Sequence, residues 1–167
     1  ASFTNCRLDY FYCETPTAVT VDSSYVGSMS VGYGEAFVVS NSYMGNLNSY
    51  LPSTSHSIQN SYVQTLTCQG DAGTWNLNNV ISENARFHNG GTVNIEKSTL
   101  NVTAQSAVGG VTYNIRNTIL TGLAAYENAG GSVRYSCVPA GISLAGFGTV
   151  EQVISGSPKY VTEPSSN

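Results

Sequence analysis

The chain has 167 residues, of which 41% are hydrophobic and only 10% charged, and its formal net charge is −4. The length suits one domain with a core of its own, while so few charges exclude a coiled coil, a charged linker and a basic nucleic-acid surface. No apolar run approaches the ~20 residues with which a helix spans a bilayer, so no membrane partner is expected.

Ser, Thr, Asn and Gly supply 71 of the residues, a composition that favours an all-β fold with uncharged turns. One short pattern recurs: an apolar residue, any residue, a small polar residue, then apolar or aromatic residues. It begins with Phe3-Thr4-Asn5-Cys6-Arg7-Leu8 and returns as Val21-Asp22-Ser23-Ser24-Tyr25-Val26. Val39-Ser40-Asn41-Ser42-Tyr43-Met44 and Ile58-Gln59-Asn60-Ser61-Tyr62-Val63 follow, then Leu77-Asn78-Asn79-Val80-Ile81. Ile95-Glu96-Lys97-Ser98-Thr99-Leu100 and Ile115-Arg116-Asn117-Thr118-Ile119-Leu120 continue it, and Tyr135-Ser136-Cys137-Val138 is the weakest copy. The starts at 3, 21, 39, 58, 77, 95, 115 and 135 are 18 to 20 residues apart. Eight residues after each start lie Phe11, Met29, Leu47, Leu66, Ala85, Thr103, Leu123 and Ser143, most of them apolar.

A period near 19 without helical patterning predicts a parallel β-helix (β-solenoid) of about eight coils, stacked at the ~4.8 Å strand spacing. A left-handed helix built of hexapeptides would repeat its apolar signal every six residues. Position 9 is Asp and position 45 is Gly, so a right-handed or irregular form is preferred. The β-helix is assigned to 1–145 and a C-terminal extended arm or cap to 146–167. The pattern loosens after about residue 139, where Pro139, Gly141, Gly146 and Gly148 break it. Its residues Pro158, Lys159, Tyr160 and Val161 either cap their own chain or reach a neighbour.

Two columns follow from the frame. Asn5, Ser23, Asn41, Asn60, Asn79, Lys97, Asn117 and Cys137 stand two residues after the starts. Stacked Asn side chains bond rung to rung through their amides, and Asn tolerates a left-handed bend. Tyr25, Tyr43 and Tyr62 form the second column, readable as a wall-stabilising stack or as a platform for a sugar ring.

The coil length, the Asn/Ser ladder and the Ser/Gly/Tyr-rich coils resemble the parallel β-helices of tailed-bacteriophage tailspikes, over roughly residues 3–145. The resemblance implies a homotrimer, and relatives of that architecture serve as capsid-stabilising (cement) proteins. Pectate-lyase-type enzymes share the solenoid, so the fold alone does not assign a function.

Cys13 and Cys68 share a column three coils apart, about 14 Å, beyond the ~7 Å reach of a disulfide. The four cysteines, with Cys6 and Cys137, read as buried thiols of a protein made in a reducing host cytoplasm. Among the carboxylates, Glu35 and Asp71 are the pair nearest to glycosidase spacing, two coils or about 10 Å apart. Arg86-Phe87-His88 reads as a solvated corner before Asn89-Gly90-Gly91, and His56 as part of a Ser-rich turn. No cofactor or metal motif is present. The expectation is a structural virion protein on the capsid surface, contacting the major capsid protein. The alternative is a receptor-binding tailspike piece that binds or cleaves surface polysaccharide.

Overall fold

A computed structural model describes residues 1–14, 18–32, 36–50, 55–69, 73–88, 90–104, 110–124 and 130–156. Over these residues the chain is all β, wound as a parallel solenoid. Each rung carries two strands that meet at a corner. The first wall stacks β1 (Ser2–Thr4), β3 (Ala18–Asp22), β5 (Ala36–Ser40), the opening halves of β7 (Ser55–Gln69) and β8 (Thr74–His88), β9 (Thr92–Glu96), β11 (Thr112–Arg116), β13 (Gly130–Arg134) and β15 (Thr149–Glu151). The second wall stacks β2 (Arg7–Cys13), β4 (Tyr25–Val31), β6 (Tyr43–Tyr50), the closing halves of β7 and β8, β10 (Thr99–Ala104), β12 (Ile119–Ala124), β14 (Cys137–Val138) and β16 (Ile154–Ser155). Seven rungs have a long second strand, and two abbreviated rungs follow.

The register runs Phe3, Val21, Val39, Ile58, Leu77, Ile95 and Ile115 from rung to rung, as the spacing of the apolar starts requires. The next partner is Val133, not Tyr135, and Val150 follows it. Tyr135 instead occupies the corner with φ 51°. Its aromatic ring had the look of an apolar start, but the backbone treats Tyr135-Ser136 as it treats Asn117-Thr118. Cys137 accordingly leaves the polar column and pairs with Ile119 and Ile154 on the second wall. A second correction falls in the sixth rung. Val102, not Thr103, is the partner of Ala85 and Leu123, because this rung has one residue fewer between Leu100 and its next inward position.

Alternation explains the interior. Along the first wall every second residue points inward, the second wall inserts one extra residue after its first inward position, as between Val26 and Met29, and like stacks on like. One inner column is Val21, Val39, Ile58, Leu77, Ile95, Ile115 and Val133, each at most 1% exposed. Burying each such side chain stabilises by about 1.5–3 kcal/mol. Ile142, Leu144 and Phe147 pack against the core after β14, and the ladder continues through β15 and β16.

The corners have their own chemistry. Asn5, Ser23, Asn41, Asn60, Asn79, Lys97, Asn117, Tyr135 and Gln152 all hold φ between 48° and 54°. Such a left-handed residue swings the chain from one wall to the other. The residue after it is usually a buried Ser or Thr. Ser42 Oγ donates to the Ser40 carbonyl at 2.6 Å and accepts the Ser24 N–H at 3.1 Å. Ser61, Ser98 and Ser136 repeat this arrangement on Ser42, Val80 and Thr118. The hydroxyl thereby satisfies an N–H that the bend has removed from the ladder.

Candidate functional site

The outer surface is organised as columns parallel to the solenoid axis, and the candidate residues are placed by their column. At the corner, Asn79 Nδ2 donates to Asn60 Oδ1 at 3.0 Å, and Asn60 Nδ2 to Asn41 Oδ1 at 3.3 Å. Asn41 Nδ2 donates to Asp22 Oδ1 at 2.9 Å. Asp22 ends this run of amides with a charge. It also accepts from Ser40 and Ser23. Hydrogen bonds from Ser40, Asn41 and Ser23 hold its carboxyl below the ordinary carboxylate value.

A second amide ladder lies on the first wall. Asn114 Nδ2 donates to Asn94 Oδ1, and Asn94 Nδ2 to Asn76 Oδ1, both at 2.9 Å. Asn76 passes the chain on to Ser55 Oγ at 3.1 Å. The signal for it was an Asn immediately before three apolar starts, at Leu77, Ile95 and Ile115.

The tyrosine column borders the corner on the second wall. Tyr25 and Tyr43 stack with centroids 4.9 Å apart and planes 2° apart, and Tyr43 and Tyr62 stack at 5.0 Å and 13°. The Arg7 guanidinium covers the lower face of the stack, 5.1 Å from the Tyr25 centroid. Above it, Tyr62 donates its hydroxyl to Glu83. That bond, with desolvation and the Glu83 charge, pushes the Tyr62 phenol up to about 12. A sugar ring stacks on an aromatic face. Here the faces of the inner rings are taken by one another, so the column presents edges and hydroxyls outward. Of the two readings of this column, the geometry favours the wall-stabilising stack. Ile81, Ile119 and Ile154 extend the same column along the axis.

Next to the tyrosines, the second wall offers neutral polar pairs. Ser28 and Ser30, Asn46 and Asn48, and Thr65 and Thr67 stand in register on three successive rungs.

Arg86 and His88 are on β8, a strand rather than a corner loop, with buried Phe87 between them. Arg86 Nε donates to Asn84 Oδ1 at 3.4 Å. His56 is not in a turn either. It lies on β7, fully buried, with its ring centroid 4.5 Å from that of Trp75. The hydroxyl-rich run around it suggested a turn, but Ser55 and Ser57 alternate outward while His56 takes an inward place between Phe37 and Trp75. Glu35, Asp71 and the arm residues Pro158, Lys159, Tyr160 and Val161 lie outside the described residues.

All four cysteines carry free thiols. Only Cys68 is buried, and burial pushes its thiol well up; Cys6, Cys13 and Cys137 are half-buried rather than buried. Among the described residues, no three His, Cys, Asp or Glu side chains converge as a metal site. Comparison of the chain with family models, curated proteins and solved structures found no match.

Proposed function

We propose that the protein is a structural virion protein, a tailspike-like β-helix that stands as a homotrimer on a phage capsid and stabilises it through contacts with the major capsid protein. One observation supports this reading above the others. In the outer column that runs along the axis from the second rung to the last, Tyr25, Tyr43, Ile81 and Ile154 are 39–71% exposed, and half-buried Tyr62, Thr99, Ile119 and Cys137 stand on the rungs between them. Long exposed apolar rows are uncommon on monomers and mark association surfaces. Copies of one solenoid share its pitch, so the same row aligns over several rungs when they stand side by side about a symmetry axis. The neutral, hydrogen-bonded walls suit a rigid spacer. Four free thiols agree with assembly in a reducing host cytoplasm.

The neutral pairs from Ser28 to Thr67 support a second reading, in which the second wall binds surface polysaccharide as part of a tail receptor. Quantitative mass spectrometry of purified particles separates the two. Hundreds of copies per particle support the capsid role. A handful in multiples of three supports the tail, and none overturns both. Light scattering that shows a monomer at micromolar concentration overturns the trimer. Polysaccharide cleavage that disappears in Glu35→Gln or Asp71→Asn overturns the purely structural role.

A further inference from the structure

Three ionisable side chains lie inside the described core: His56, Cys68 and Tyr113. Burial raises the pKa of Cys68 and of Tyr113, so both stay neutral in acid. His56 is different, because its charged form is the acid form. It occupies an inner column that otherwise reads Val19, Phe37, Trp75, Val93 and Tyr113. Phe37 on β5 lies beneath it and Trp75 on β8 above it, with the Trp75 ring tilted 44° to the imidazole. β5 carries no ionisable residue. The ionisable groups of β8, Glu83, Arg86 and His88, stand past the corner on the second wall. On β7 itself, Tyr62 belongs to the outer column and Cys68 to the core.

We propose that His56 makes the solenoid acid-labile at its middle: protonating this imidazole places a charge inside the stack and uncouples the rung of β7 from its neighbours, while the outer rungs stay paired. In a solenoid each rung is held by the two beside it, so one charged rung weakens two interfaces together. Burial lowers the His56 pKa from 6.5 to about 4. The unfolded or locally opened chain therefore takes a proton near pH 6.5, and the folded chain only near 4. Between these values the open state binds more protons, so stability falls as pH falls through this window and levels off below it. The opening equilibrium around β7 rises about 20-fold between pH 7 and pH 5.

Hydrogen exchange of the whole chain at pH 7 and pH 5, corrected for intrinsic rates, tests this directly. The expected result is extra opening of that size in β5, β7 and β8, with β10 and β12 unchanged. Uniform acid loosening along the chain overturns the proposal. Thermal melts of His56→Phe, which continues the Phe37 column, supply the second readout. The variant keeps its midpoint between pH 7 and pH 5 while the natural chain loses part of it; an equal loss in both overturns the assignment to His56. If the variant does not fold, the exchange pattern of the natural chain decides alone.

Discussion

A left-handed corner is a strained place for most side chains, and each rung contains one. Asn60 reduces this cost in two ways: its short amide tolerates the conformation, and it bonds both to Asn41 and to Asn79. Asn60→Ala keeps the strain and loses both bonds, so it destabilises by about 2 kcal/mol. Asn60→Gly removes the strain and loses only the bonds, for about 1 kcal/mol. Urea unfolding of the two variants checks the order, and equal losses would show that the ladder bonds carry the corner alone. Lys97 holds φ 52° in the same column, makes no ladder bond among the described residues, and pairs with Glu96 at 3.9 Å on the surface. Lys97→Asn can extend the ladder above Asn79 and stabilises by about 1 kcal/mol in the same measurement. This column was legible because Asn recurs at fixed spacing. Its acidic end was not, because Asp22 stands one residue before the column and joins it only through side-chain geometry. His56 was misplaced for a related reason. Serines on both sides of it are a turn signal locally, and only the alternation of the rung shows them pointing outward.

Two devices let the strands close into rungs. One is the buried hydroxyl after each corner, and the other is close backbone approach at glycine. Ser42→Ala leaves the Ser24 N–H without its acceptor in a dry place and costs about 1–3 kcal/mol. The fifth rung shows an exception inside the stack. Val80 takes the hydroxyl's place there, and it pairs directly with Ser61 in the ladder. Ser42→Ala therefore tests whether the hydroxyl or the local pairing sets the corner; a variant as stable as the parent would favour the pairing. At Gly45 a Cβ would stand 2.3 Å from the carbonyl oxygen of Gly27, a backbone atom that cannot move aside. Gly45→Ala forces β4 and β6 apart and destabilises by about 1–3 kcal/mol, read from the thermal midpoint. The strand positions themselves were readable from the period. The missing residue of the sixth rung was not, since a period averaged over copies of 18 to 20 residues hides a one-residue slip inside one of them.

At the scale of the molecule, a solenoid is a one-dimensional array whose stability is approximately a sum over neighbouring rungs. The period should therefore be a unit that can be removed. Deleting residues 41–59 joins Ser40 to Asn60 and takes out one complete 19-residue step of the corner ladder. Every column then closes on its own kind. Asn60 moves beside Asp22 in place of Asn41, Tyr62 stacks on Tyr25 in place of Tyr43, and Val63 follows Val26 in place of Met44. Phe37 meets Trp75 directly, because the deletion also removes His56. The expected product is a shorter solenoid with unchanged β-sheet circular dichroism per residue, a lower urea midpoint and no acid sensitivity in the middle rungs. Deleting 41–50, half of the same step, removes β6, the strand that pairs with both β4 and β7, so the second wall loses its third layer while the first wall keeps its own, and gives a chain that does not fold. If both deletions unfold the chain, the rungs are not interchangeable units and long-range packing decides the fold. If both fold, the register is not fixed by the columns, and the ladder of Asn, Ser and Tyr is a consequence of the solenoid rather than its cause.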